Sequence, residues 1–191
     1  MKRNAREVVA GTRPLTALGA ISNGVLSGAV GTLAMDLLLY ARYRKDGGKG
    51  GFLHWEFSSD IRSWDQAPAP AQVGKRVFEG LFRRQLPDER AALVNNVMHW
   101  GYGIANGARY GVVAGSLRTP RIRYGAPFGA GVWASGYVVL PAAKLYEPIW
   151  KYDRRTLAKD LSAHLVYGLT TAAAFRLSGT LKNALRRSRT R

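Results

Sequence analysis

Four stretches of this chain are almost free of charge, and its basic residues gather between them. In residues 14–41 the single charged side chain is Asp36, and in 91–117 it is Arg109. Residues 124–143 carry none, and 161–181 carry only Arg176. Each stretch is close to the roughly 20 residues that a helix needs to cross a bilayer. None shows the charged face of a water-exposed helix. The pattern predicts helices over about residues 18–40, 91–114, 124–145 and 157–177.

The connections differ in length. LRTPRIR (117–123) and YEPIWKYDRRT (146–156) are short, whereas 42–90 is long and divides into parts. YRKDGGKGG is a flexible exit, FLHWEFSSDIRSW brings large aromatics suited to the headgroup level, and DQAPAPA is an extended Pro-Ala hinge. In QVGKRVFEGLFRRQLP, the residues Val73, Val77, Phe78, Leu81 and Phe82 share one helical face flanked by Lys75, Arg76, Arg83 and Arg84. Such a short amphipathic helix lies in a membrane interface or packs on the bundle ends, and the pattern leaves both open.

A net charge of +17 over 191 residues fits either a nucleic-acid binder or a membrane protein with basic flanks. The windows are rich in Gly and Ala and the mean hydropathy is −0.16, so a soluble, basic, helical protein is the competing reading. Three features favour the membrane. Tyr40, Tyr43, Tyr146, Trp150 and Tyr152 crowd the window ends, small residues recur at helical spacing, and the windows lack charged faces. The expected fold is all-α: a polytopic membrane protein of one domain, residues 1–191, with four transmembrane helices as two similar helix pairs. The expected partner is the lipid bilayer, not nucleic acid, with a homo-oligomer or a larger membrane complex left open. The basic stretch MKRNAREVVAGTR precedes an apolar segment longer than a signal peptide's core, so the first window reads as a retained span. With four spans both termini share a side. The termini and LRTPRIR are dense in Lys and Arg and hold Glu7 as their acid, which places them in the cytoplasm of a cell with the chain in its inner membrane.

His-x-x-Tyr-Gly occurs twice, as HWGYG (99–103) and HLVYG (164–168). GVLSGAVG (24–31) aligns with GAPFGAGV (125–132), so the chain reads as an internal repeat of two parallel helix pairs. Gly24 with Gly28, Gly103 with Gly107, and Gly125 with Gly129 form GxxxG pairs that let helix backbones approach closely.

Polar residues fall on the same faces. Asn96, His99, Gly103, Asn106 and Tyr110 align on the second helix, Asp160, His164, Tyr167 or Gly168, and Thr171 on the fourth, and Gly28, Thr32 and Asp36 continue the Gly24 face of the first. At 1.5 Å per residue, Asp36, His99 and His164 lie about 8 to 14 Å below the surface that carries the long loop. Polar groups in hydrocarbon need partners, so the pattern predicts one intramembrane cluster of Asp36, Asn96, His99, Tyr102, His164 and Tyr167. Three roles suit it: a hydrogen-bond network that only fixes packing, a site for proton- or ion-linked handling of a small solute, or bis-histidine ligation of haem or a metal by His99 and His164. The first would make the chain a structural or accessory membrane subunit.

The absence of cysteine excludes disulfides, thiolate catalysis and Cys-ligated metal. No Gly-rich phosphate loop, HExxH or nucleophile elbow occurs, and the GYG of HWGYG lacks the context of a potassium filter. The sequence therefore points away from an enzyme and commits no catalytic, cofactor-binding or metal-ligating residue.

GTLAMDLLLYARYR, DQAPAPAQVGKR, NNVMHWGYG and KDLSAHLVYG together resemble a family of small four-span bacterial membrane proteins of the actinobacterial type. More distantly, the chain resembles the YagU-like inner-membrane proteins in span number and in histidines placed within spans. The resemblance covers nearly the whole chain and implies the membrane setting and the four spans. It brings no activity or catalytic residue with it.

Overall fold

The computed structural model describes residues 16–57, 60–117 and 120–189, and these are all-helical, with no strand among them. The basic stretch at residues 1–13 and the first two residues after Leu117 lie outside them. The six α-helices are α1 (Ala17–Lys45), α2 (Phe52–Glu56), α3 (Ala69–Phe82), α4 (Ala91–Ser116), α5 (Gly125–Ala142) and α6 (Arg154–Arg189).

The helix ends follow from local chemistry. Thr16 caps α1, its Oγ1 accepting from the Gly19 amide at 3.1 Å. Arg42, Arg44 and Lys45 occupy the last turn, where the helix dipole favours cations. The chain then turns back through Gly47 at φ 96°, a left-handed conformation that suits glycine, and the Gly48 amide bonds the Tyr43 carbonyl at 2.9 Å. Asp153 begins α6 by accepting from the amides of Arg155 and Thr156 at 2.9 and 3.0 Å. The Pro-Ala hinge is extended only briefly. Ala69, Pro70 and Ala71 already form the first turn of α3, where proline has no amide to lose. The last window also runs further than the apolar pattern predicts, because nothing in its basic continuation breaks a helix.

α1 is central. It packs on both α4 and α6, which also meet each other at Tyr110 and Phe175; α5 packs on α6, and α3 lies on α4. Two adjacent stripes of small residues make this possible. Gly24 and Gly28 meet the backbone of Gly103, Gly107 and Gly111 on α4, while Gly31 meets Tyr167 and Thr171 on α6. A Cβ on Gly24 would stand 2.4 Å from the Gly107 carbonyl oxygen, so no larger residue fits this contact. α5 and α6 approach in the same way, Gly125 and Gly129 against Gly168 and the His164 carbonyl. The two glycine contacts are equivalent in a register one turn from the sequence alignment. Gly28, which meets the Gly103 carbonyl, corresponds to Gly125, which meets the Gly168 carbonyl. Rings span the wider gap between α4 and α5, with Tyr110 and Phe128 centred 4.9 Å apart and Phe128 5.7 Å from Tyr167.

Polar side chains share the bundle interior with alanines and aromatic rings such as Tyr110, Tyr167 and Phe175. The largest fully buried side chains are Asn23, Thr32, Thr171 and Ser27, and Asp36 is 2% exposed. Leu18, Leu26, Val30 and Leu37 of α1, Val97 and Val113 of α4, Val138 of α5 and Leu177 of α6 all face outward. By length and apolarity, α1 is the one helix among the described residues able to cross a membrane. α4 and α5 owe much of their length to Gly and Ala, which pack well but add little hydropathy.

A smaller core anchors the long connection. Trp64, Ala71 and Ala91 are buried together, with Leu86 and Val94 against them. The Trp64 indole donates to the Leu86 carbonyl at 3.0 Å, and the Lys75 ammonium stands 5.0 Å above its ring. α3 turns its small residues inward, Gly74 meeting Val94 and Met98 of α4, while Val77, Leu81 and Phe82 are exposed.

Candidate functional site

α1 carries Asp36 three turns beyond Gly24, on the stripe that faces α4. The close glycine contact below it brings His99 of α4 within reach. The His99 Nε2–H donates to Asp36 Oδ1 at 2.9 Å. Asp36 Oδ2 is also buried and has no hydrogen-bond donor among the described residues.

The short helix α2 closes this end. Tyr40 and Tyr43 of α1 pack with Phe52 and Trp55, ring centroids 5.3 to 6.4 Å apart, and so fold α2 back over the end of α1. That places Glu56 over the pair. Its Oε1 accepts from the Trp100 indole at 2.8 Å, and it lies near enough to feel both Asp36 and His99. Burial, then the negative charge of Asp36, pushes the Glu56 acid above the usual carboxylate range. Two acids, one imidazole and one indole thus meet at one end of the α1–α4 contact.

A second group lies on the α5–α6 side. Tyr137 of α5 donates to Asp160 Oδ2 at 3.0 Å. His164 Nδ1 lies 3.3 Å from Asp160 Oδ1 and donates to the Asp160 carbonyl at 2.9 Å, one turn back on the same helix. Tyr146 and Tyr152 stack on Tyr137 at 5.7 and 5.5 Å. Burial, then the charge of Asp160, raises the Tyr146 hydroxyl above its ordinary value.

The six residues expected in one cluster are therefore divided. Asp36 and His99 meet, but His164 takes Asp160, and among the described residues no hydrogen bond joins the two pairs. Each histidine takes the carboxylate its surroundings offer: α1 packs on α4 and brings Asp36 to His99, whereas Asp160 stands one turn before His164 on the same helix. Asn96 turns back to the Ala92 carbonyl of its own helix at 2.9 Å. Tyr102 is 48% exposed and bonds Ser135 of α5 at 3.0 Å. Tyr167 does cross the bundle, its hydroxyl donating to the Gly103 carbonyl at 2.7 Å. Of the packing glycines, Gly24, Gly28, Gly103, Gly107, Gly125 and Gly129 all lie in interhelical contacts.

Several contributing residues escape sequence reasoning. Glu56 and Trp100 carry no periodic signal, because Glu56 sits in a five-residue helix placed by aromatic packing. Asn23, whose amide donates to the Phe175 carbonyl at 3.1 Å, had a readable signal: Asn23, Ser27 and Gly31 form a second small-residue stripe beside the glycine stripe. Asp160 stands one turn before His164 on the face the sequence identified, and Tyr137 reaches it from α5.

Among the described residues no group of three acids and histidines has the arrangement of a metal site. Arg109 has Asn106 Oδ1, at 3.3 Å, as its hydrogen-bond partner, and no carboxylate reaches it among the described residues. Comparison with family models, with curated proteins and with solved structures finds no match, so the chemistry of this site rests on the chain's own geometry.

Proposed function

We propose that this chain is an integral membrane protein, with α1, α4, α5 and α6 as four spans, that couples the handling of a small solute or ion to a proton held among Asp36, His99 and Glu56. The observation that carries this reading is the placement of polarity: Asn23, Ser27, Thr32, Asp36, Asn106 and Thr171 are buried between the helices while many leucines and valines face out. In water such an arrangement exposes apolar surface and buries costly groups; in lipid both preferences reverse. An acid kept inside a membrane bundle marks a functional site unless it is fully paired. Asp36 is half paired: Oδ1 has His99, and the buried Oδ2 has no partner among the described residues. A proton held on Glu56 removes the repulsion between two neighbouring carboxylates.

Supporting the orientation are the dense bases of both termini, which favour a cytoplasmic location, with the Asp36 end toward the opposite face. The paired glycine contacts and the repeated His-x-x-Tyr-Gly support descent from a duplicated helix pair.

The test is titration of the histidines. The chain has three, and ¹⁵N-labelled imidazoles in detergent micelles report each protonation separately. The proposal expects the His99 signals to titrate reversibly and their midpoint to move in Glu56→Gln. A His99 that stays in one state from about pH 4 to 10 holds no exchangeable proton. The second reading, a packing network in an accessory subunit, draws on the bonds from Tyr167 to Gly103 and from Asn23 to Phe175, which fix helix register and need no titration.

A further inference from the structure

α3 carries one apolar stripe, and α4 covers only half of it. Ala71, Gly74, Phe78, Leu81 and Phe82 follow at helical spacing on one face. Ala71 and Gly74 are buried, Gly74 against Val94 and Met98 of α4, and Phe78 is half-buried. Leu81 is 73% exposed, Phe82 62% and the adjoining Val77 52%. The Phe78 and Phe82 rings lie 4.7 Å apart and carry the stripe from its covered half to its open half. α3 therefore crosses the start of α4, and its last turns overhang. A second contact fixes the place of the crossing: the Arg76 guanidinium donates to the Ala143 carbonyl at the close of α5. Both contacts lie at the end of the bundle that holds Asp36 and His99. Arg83 ends the helix at φ 52°, and the chain turns back to Trp64, whose indole bonds the Leu86 carbonyl. Arg83 and Arg84 are thus left at the tip of the overhang, both exposed and with no partner for either guanidinium among the described residues. Glu79, the acid of this helix, is already engaged by the Leu86 amide at 3.0 Å.

We propose that the open half of α3 is a docking surface for an anionic lipid leaflet: Val77, Leu81 and Phe82 enter the boundary between headgroups and acyl chains, and Arg83 and Arg84 stay among the headgroups. The inference rests on the spanning reading, which sets the start of α4 and the close of α5 at headgroup level. Charge selects this occupant. A leaflet offers hydrocarbon to the three apolar side chains and negative charge to the two arginines within a small range of depth, as an apolar helix face with a basic flank requires. A second copy meeting the same face would set Arg83 and Arg84 against their counterparts, and like charges brought together oppose association. The net charge of +17 adds to that repulsion. Leu53 and Phe57 on α2, and Trp150 between α5 and α6, are exposed at the same end, as the side chains of an interfacial belt are.

The experiment places the full chain in liposomes of dioleoyl phosphatidylcholine, with or without dioleoyl phosphatidylglycerol, and puts a nitroxide on a single cysteine at Leu81 or, in a second variant, at Phe82. With phosphatidylglycerol present, either label should collide often with oxygen and seldom with a water-soluble nickel chelate, as a group sunk about 5 Å or more into the interface does. Omitting phosphatidylglycerol, or adding Arg83→Gln with Arg84→Gln, should raise collision with the nickel chelate at least about fivefold, the factor that attraction of one base to an anionic surface represents. Lys49→Gln, an exposed base before α2, should leave it unchanged. Frequent collision with the nickel chelate in every lipid would place the stripe in water. Rare collision with both reagents would mean that protein covers it, and spin–spin broadening lost on dilution with unlabelled chain would identify that protein as a second copy. Equal burial without phosphatidylglycerol, or in the arginine variant, would remove the part given to charge. Each of these results overturns the proposal. A label at Leu26 in the same liposomes tells failure of the α3 surface from failure of the spanning reading, because only the second brings Leu26 into contact with the nickel chelate.

Discussion

His99 on α4 donates its Nε2–H to Asp36 Oδ1 on α1 across 2.9 Å, one helix contact away from the glycines that let the two backbones touch. The bond depends on that approach and in turn secures it. Removing one partner leaves a buried polar group without its mate, which costs about 3 kcal/mol when the group is ionised. His99→Phe and Asp36→Asn should each lower thermal stability in detergent, and the double variant should cost much less than the sum of the two. Additive losses would mean that the residues contribute separately.

Glu56 makes stability depend on pH with a definite sign. Its acid is raised above the ordinary value of 4.5, so the folded chain binds that proton more tightly than the unfolded one. The stabilisation is complete below 4.5 and is lost as pH rises through the folded value. Over the interval from 4.5 up to that folded value the wild type should lose stability, and Glu56→Gln should flatten the slope. Thermal unfolding across the interval measures both, and parallel slopes would remove Glu56 from the cluster.

The glycines divide sharply by position. A Cβ on Gly107 would meet Gly28 Cα at 2.4 Å, whereas Gly131 has nothing within 4 Å. Gly107→Val should therefore cost at least about 3 kcal/mol or prevent assembly, because backbone cannot move aside as a side chain can. Gly131→Ala should be neutral or stabilising by about 0.5 kcal/mol through helix propensity alone. Equal effects on unfolding temperature would argue against the close α1–α4 contact.

Tyr167 separates a packing bond from a titrating one. Its hydroxyl donates to the Gly103 carbonyl at 2.7 Å, and its ring packs on Phe128. Tyr167→Phe keeps the ring and should cost about 1 kcal/mol, the usual net worth of a buried hydrogen bond, without altering the His99 titration. A change in that titration would tie the α6 side to the Asp36 pair.

The helices were legible in the sequence because low charge and small-residue spacing act locally. Residues 18–40 and 91–114 fall inside α1 and α4, and the apolar face at Val73 to Phe82 falls on α3. The facing of Asp36 and His99 was legible too, since each continues a glycine stripe. What the pattern could not contain was the order of helices around the bundle. α1 brings Asp36 to His99, while His164 bonds Asp160 one turn back on its own helix, so identical motifs acquire different partners. Glu56 was hidden for another reason: its place depends on Tyr40, Tyr43, Phe52 and Trp55 stacking across a loop, which no period along the chain records.

The central claim is that the outward leucines and valines face lipid. The chain has no cysteine, so single cysteines at Leu26, Val97 and Val138 can each carry a nitroxide spin label without competing sites. In reconstituted membranes these labels should collide freely with oxygen, which concentrates in the bilayer, and scarcely with a water-soluble nickel chelate, while a label at exposed Gly80 should show the reverse. Strong collision with the nickel chelate at Leu26, Val97 and Val138 would place those faces in water and contradict the account.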